Sequence, residues 1–169
     1  MKEFKAQEVA ELYSELQNNG ITVWIDGGWA VDALLGKQTR IHQDLDIAVQ
    51  DNDLLRLKDF LEVYGYKEIE RSEDKKWDLV MADNKGHEIE VHVFALDKNG
   101  DIADQQYWNG YSKGSLSGEG SIEGWPIKCV SLQQLIKTHD ETKRKFKESD
   151  YADMEALRVK FGGKLFIAM

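Results

Sequence analysis

The chain has 169 residues, of which 41% are hydrophobic and 31% charged, and its formal net charge is −9. This length and composition are typical of one soluble globular domain that buries a sizeable core. The acidic balance argues against a nucleic-acid partner, whose phosphates require a basic surface. No apolar stretch could span a bilayer, the N-terminus lacks a signal-peptide core, and the single Cys129 forms no disulfide within the chain. We therefore expect a cytoplasmic protein without a membrane partner.

Apolar periodicity and glycine-containing turns divide the chain into helices and strands. Helices are predicted at residues 5–19, 29–35, 54–64, 131–139 and 150–161. Strands are predicted at residues 21–25, 45–49, 77–82, 88–96 and 127–130, and the third and fourth of these form a hairpin. Residues 101–124, rich in Gly, Ser and Asn, are predicted to form a long irregular loop. This order of elements favours an α+β fold, a mixed sheet flanked by helices.

Two carboxylates stand two residues apart at the second predicted strand. Asp44 and Asp46 therefore share one face of that strand, whereas Leu45 points to the other. Carboxylates held together repel each other unless a cation lies between them, and Mg²⁺ commonly binds one or two carboxylates together with substrate phosphates. The strand predicted at 88–96 carries three more such side chains on one face: Glu88, Glu90 and His92. If the two strands are neighbours in the sheet, a third acid joins the pair.

A glycine pair, Gly27-Gly28, lies between a predicted strand and a predicted helix. Glycines there let backbone N–H groups approach an anion, and a helix N-terminus favours negative charge. Arg40 and His42 shortly precede the carboxylate pair and are placed to reach phosphates, Arg40 through its planar fork. The alternatives are a surface salt bridge for Arg40 and a structural hydrogen bond for His42. Taken together, these features indicate metal-assisted phosphate chemistry.

Residues 25–47, IDGGWAVDALLGKQTRIHQDLDI, resemble the signature of the lincosamide nucleotidyltransferases and the aminoglycoside 2″-adenylyltransferases. In that group a G-G-W element precedes G-x-x-x-R-x-H-x-D-h-D-h, where h is apolar. Residues 120–131, GSIEGWPIKCVS, are similar to the group's G-x-P-h-x-C-x-S stretch before a helix. The resemblance implies the polymerase-β-like nucleotidyltransferase fold with C-terminal helices. Residues 1–130 would form the nucleotidyltransferase core and 131–169 a helical extension packed on it as one compact unit.

The resemblance also implies a reaction. A nucleoside monophosphate passes from an NTP, expected to be ATP, to a hydroxyl of a lincosamide or aminoglycoside, and this confers resistance. Asp44 and Asp46 would bind Mg²⁺, Asp46 being catalytic as well, and Gly27, Gly28, Arg40 and His42 would hold the nucleotide. A homodimer is expected on the resemblance alone.

The third acid departs from the pattern of the group. That acid is usually Asp, in an h-D-h-H or h-D-x-E pattern, and Ile89-Glu90-Val91-His92 occupies its place. Glu90 is therefore the candidate metal ligand and general base, with Glu88 as a second candidate one pleat earlier. His92 is either a second base or a polar filler.

The loop at 101–124 is a candidate substrate surface. Its Tyr107, Trp108 and Tyr111, with Glu119 and Glu123 beyond them, would suit a cationic sugar-like substrate. The alternative is a loop packed by its own aromatic rings. Glu88 and His92 are further candidates for substrate contact.

The basic residues within 143–147 are interpreted as a solvated helix face, contact with the triphosphate being the alternative. Two other functions also stay open. One is nucleotidyl transfer to a protein or tRNA, as in toxin–antitoxin systems. The other is a degenerate nucleotide-binding module.

Overall fold

The structure is a computed structural model that describes residues 1–71, 78–103 and 110–162. Its helices are α1 (Ala6–Asn18), α2 (Gly27–Leu35), α3 (Leu54–Val63), α4 (Leu132–Thr138) and α5 (Glu148–Phe161). Its strands are β1 (Val23–Ile25), β2 (Asp44–Gln50), β3 (Lys67–Ile69), β4 (Asp78–Ala82), β5 (Glu88–Phe94), β6 (Gly118–Ile122) and β7 (Trp125–Cys129). No helix in these three stretches is long and apolar enough to cross a membrane.

The seven strands form one mixed sheet in the order β3-β4-β5-β2-β1-β7-β6. β2 runs parallel to β5, and β1 runs parallel to β7, whereas the remaining neighbours are antiparallel. Alternate residues of the central strands, such as Ile47, Val49, Val91 and Val93, are buried in the core. The prediction of a mixed sheet flanked by helices is confirmed.

Helix α2 connects the sheet to the C-terminal helices. The Asp26 side chain accepts a 2.7 Å hydrogen bond from the Gly27 N–H and caps the helix, which begins two residues earlier than predicted. Its C-cap is Gly36, with a left-handed φ of 76°. The helix packs against β2, β6 and β7 and also contacts α4 and α5. Because the Asp26 N–H donates to the Asp46 carbonyl at 2.9 Å, the start of α2 lies beside β2.

The prediction of an irregular loop over residues 101–124 is wrong at its C-terminal end, where β6 pairs with β7. Glu123 and Gly124 form the connecting turn with φ values of 50° and 77°, as two-residue hairpins require. Gly120 is a packing residue, because a Cβ there would lie 2.1 Å from the Ala33 carbonyl oxygen of α2. The three-residue β3 was not predicted either.

Candidate active site

The parallel pairing of β2 with β5 assembles the carboxylates. Asp44 is the register partner of Glu88, and Asp46 that of Glu90, so the two pairs lie on the same face of the sheet. Leu45, between the two aspartates, is 2% exposed and lies in the core on the opposite face. The expectation that the two acidic strands are neighbours is therefore confirmed.

A compact group of possible metal ligands lies in the middle of this face. Ligand atoms of Asp46, Glu90 and His92 are all within 4.8 Å of one another. Burial, and then the charge of Asp46, raise the pKa of Glu90 to about 6 and also raise the pKa of Asp44. Asp44, one pleat before Asp46, lies outside this tight group. The face thus concentrates negative charge that a cation would relieve.

His92 bridges two carboxylates. Its Nδ1 lies 2.8 Å from Asp78 Oδ1, and its Nε2 lies 3.5 Å from Asp46 Oδ1. Burial alone would lower the pKa of His92, but the hydrogen bonds with Asp46 and Asp78 outweigh it and raise this pKa well above its ordinary value. His92 therefore supplies positive charge to the carboxylate face and orients Asp46.

The glycine pair at the start of α2 lies directly against these groups. Gly27 has a φ of 59°, and a Cβ there would lie 2.2 Å from Asp46 Oδ2. A Cβ on Gly28 would lie 2.4 Å from Arg40 Nη2 and 2.5 Å from His42 Nδ1. Any side chain at either position would therefore collide with a predicted site residue. Gly27 and Gly28 both line the cleft, and a helix N-terminus there favours an anion.

Both Arg40 and His42 are held by carboxylates. Arg40 donates from Nε and Nη2 to Asp153 of α5 at 2.8 and 2.7 Å. His42 is buried, with Nε2 2.5 Å from Asp32 Oδ2. The salt-bridge alternative for Arg40 and the structural-hydrogen-bond alternative for His42 are thus observed, yet both residues line the cleft.

The cleft has a volume of about 870 Å³ and runs between the carboxylate face and the C-terminal helices. Its far wall includes Arg144 and Lys147, which precede α5. Arg144 donates from both terminal nitrogens to Asp150 at 2.8 Å each. The interpretation of this basic segment as a solvated helix face was wrong about the helix, since residues 143–147 are exposed or half-buried but not helical, and Arg144 and Lys147 line the cleft. Their only signal in the sequence was the basic run itself.

The remaining candidates for substrate contact have different environments. Glu88 forms an ion pair with Arg71. Tyr107 and Trp108 lie outside the described residues. Tyr111 is buried, and its hydroxyl donates to Asp26 Oδ2 at 2.5 Å, so it supports the cap of α2. The sequence had indicated neither this role nor that of Asp26.

Two structures of antibiotic adenylyltransferases share this fold. Lincomycin-bound lincosamide antibiotic adenylyltransferase LnuA aligns with a TM-score of 0.79 over 93% of this chain and 98% of its own, at 24% identity. ANT(2″)-Ia in complex with adenylyl-2″-tobramycin aligns with a TM-score of 0.76 over 96% of this chain and 92% of its own, at 19% identity. The chain therefore has the nucleotidyltransferase fold.

Proteins related in sequence identify the family within the nucleotidyltransferase fold to which the chain belongs. A lincosamide resistance protein of Staphylococcus haemolyticus is 28% identical over 143 residues, 82% of this chain and 84% of the relative. A 2″-aminoglycoside nucleotidyltransferase of Escherichia coli is 27% identical over 132 residues, 76% of this chain and 68% of the relative. The profile of the aminoglycoside-2″-adenylyltransferase family matches residues 8–157. The chain belongs to this family, which confirms the resemblance seen in residues 25–47 and the prediction of a nucleotidyltransferase.

Proposed function

We propose that the protein transfers a nucleoside monophosphate from a nucleoside triphosphate, ATP by expectation, to a hydroxyl of a small antibiotic, with Mg²⁺ as cofactor. The observation that carries this proposal is the parallel register that sets Asp46 beside Glu90 while the Gly27 turn abuts Asp46. Carboxylates for a cation and a helix start for an anion thereby share one cleft. Metal-assisted phosphoryl chemistry needs this combination.

The donor atoms on the carboxylate face fit a hard divalent cation. Carboxylate oxygens are the ligands Mg²⁺ prefers. Burial and then the charge of Asp46 raise the pKa values of Asp44 and Glu90, and a bound cation would stabilise both carboxylates. Asp44, Asp46 and Glu90 would hold Mg²⁺, which when bound neutralises phosphate charge during the displacement.

Glu90 acts as the general base. Burial and the charge of Asp46 raise its pKa to about 6 in the metal-free site, so the carboxylate is mainly ionised at neutral pH and able to take a proton. The acceptor hydroxyl loses its proton to Glu90, the oxygen bonds to the α-phosphorus, and the bond to pyrophosphate breaks. The helix start at Gly28 binds the triphosphate together with Arg40 and His42. Arg144 and Lys147, which precede α5, add positive charge to the cleft.

The acceptor is a lincosamide or an aminoglycoside. The support is family membership together with the relatives' names, one a lincosamide resistance protein and one a 2″-aminoglycoside nucleotidyltransferase. Both acceptor classes carry amines, and the net charge of −9 attracts cations over long range.

The test combines the purified protein with Mg²⁺, each of the four nucleoside triphosphates, and either lincomycin or tobramycin. We expect pyrophosphate release that depends on one drug, with a nucleotidylated drug seen by mass spectrometry. Asp46→Asn should abolish the release, whereas Asp59→Asn on the exposed face of α3 should not. Labelling of a protein or RNA, with no drug product, would contradict the proposal.

A further inference from the structure

A buried carboxylate–imidazole pair lies directly behind the glycine turn. Asp32 is 1% exposed and His42 is 3% exposed, and His42 Nε2 lies 2.5 Å from Asp32 Oδ2. A buried carboxylate is costly unless hydrogen bonds satisfy it. Asp32 therefore has a definite partner, and that partner lines the cleft.

The rest of the His42 ring is fixed as well. The ring packs on Trp29, with centroids 4.4 Å apart and an interplanar angle of 37°. Its other edge abuts Gly28, where a Cβ would lie 2.5 Å from Nδ1 and 2.6 Å from Cε1. With Nε2 turned to Asp32, the Nδ1 edge necessarily faces the start of α2.

We propose that Asp32 is a positioning residue for nucleotide binding. Its Oδ2 accepts the Nε2–H of His42 and so holds the Nδ1 edge of the ring at the Gly28 turn. The inference rests on the proposed function, because the ligand at this turn is the triphosphate. A carboxylate behind a functional histidine fixes both its tautomer and its orientation. A ring ordered beforehand also loses less conformational entropy when the ligand binds.

Asp32 has a second, structural task on its other oxygen. Oδ1 accepts hydrogen bonds from the Thr39 N–H at 3.0 Å and from the Thr39 hydroxyl at 2.5 Å. These bonds fix the segment that follows α2. Because the two oxygens have different partners, the two tasks can be separated by substitution.

Asp32→Asn targets the positioning task. The amide oxygen can still accept from Thr39, but the amide N–H₂ then faces Nε2 of His42, so Nε2 can no longer donate there and the neutral ring must carry its proton on Nδ1. Thr39→Val targets the structural task, because it removes the hydroxyl donor and leaves the His42 contact in place. Should Asp32→Asn not fold, His42→Gln replaces it, since it leaves both bonds between Asp32 and Thr39 in place.

The first measurement is the affinity of each variant for a non-hydrolysable ATP analogue with Mg²⁺, by calorimetry. We expect Asp32→Asn and His42→Gln each to weaken binding by about 10-fold or more. The double variant should be no weaker than either single one, because the two residues act as a unit. Thr39→Val should change affinity less than about twofold. An equal loss in Thr39→Val, or multiplicative losses in the double variant, would overturn the assignment.

The second measurement is the ¹⁵N spectrum of imidazole-labelled protein without nucleotide. His42 should carry a proton on Nε2 in the wild type and lose it in Asp32→Asn. An unprotonated Nε2 in the wild type, or no change in the variant, overturns the positioning role. A wild type that binds nucleotide but modifies no acceptor contradicts only the proposed function. One that binds no nucleotide overturns both.

Discussion

The two walls of the cleft differ in how their charges are balanced. On the strand wall, which β2 and β5 form, carboxylates lie close together, and burial together with Asp46 raises the pKa of Asp44 and of Glu90. The helical wall consists of α5 and the two arginines that it holds. The guanidinium groups of Arg40 and Arg144 each donate two hydrogen bonds to a carboxylate of this helix. The strand wall therefore has charge left to bind a cation. The cations of the helical wall are already held in place by carboxylates. Substitutions on the two walls should therefore have different effects.

The largest loss is expected on the strand wall, at Glu90. Glu90→Gln removes the base and one metal ligand while keeping the shape of the side chain. We expect kcat to fall by about 10²–10⁴-fold, the usual contribution of a general base. Steady-state kinetics with saturating nucleotide and drug measure this.

Glu88→Gln is the matched comparison, because Glu88 lies on the same strand and the same face but pairs with Arg71. Its loss should be much smaller than that of Glu90→Gln. If Glu88→Gln lowered kcat more than Glu90→Gln, Glu88 would be the third acid instead of Glu90.

The junction of the two walls is tested by Gly28→Ala. The added Cβ would displace Arg40 and His42 from the helix start. We expect kcat/KM for the nucleotide to fall by about 10²-fold, as misplacement of about 1 Å can cause, while the helix keeps its stability. Gly36→Ala should do the reverse. Its φ of 76° strains any side chain, yet a Cβ there makes only an ordinary 3.6 Å contact, so stability should fall and activity persist.

A smaller and more direct measure of the strand wall is the titration of Glu90 itself. In metal-free protein its carboxyl ¹³C signal should titrate with a pKa of about 6, above the ordinary glutamate value, because burial and Asp46 favour the protonated form. Added Mg²⁺ should lower this pKa, since a bound cation favours the carboxylate. A pKa that does not respond to Mg²⁺ would contradict metal binding at Glu90.

The strand wall could be predicted because the pattern that identifies it lies within a few consecutive residues. Asp44 and Asp46 flank a buried Leu45, and this alternation predicts both a strand and a shared face. The glycine turn and the family signature around it were equally visible. β6 escaped prediction because its sequence, GEGSI, has two glycines and only one β-branched residue, Ile122. Gly120 is required there by close packing against α2, a contact that the sequence does not reveal.

The helical wall was not predictable for the opposite reason. Arg40 and Asp153 are 113 residues apart, and only the packing of α5 near α2 brings them together. Buried Asp32, the partner of His42, looks in the sequence like any polar residue of a short helix. Long-range ion pairs leave no periodic pattern, so the sequence identified Arg40 and His42 but not what holds them.

The smallest effect is expected from Arg144→Met on the helical wall. Arg144 lowers the pKa of Asp150 to about 2, so the pair stabilises the fold above the ordinary aspartate pKa and loses this contribution as pH falls through about 2. Since the Arg144 side chain is 40% exposed, solvent screening leaves about 1 kcal/mol near neutral pH. Urea unfolding at several pH values should show this deficit near pH 7 and a smaller one toward pH 3. Lys143→Met breaks only the exposed pair with Asp140 and should change stability less. A deficit that is independent of pH would mean that Arg144 stabilises through its contact with Phe146 rather than through charge.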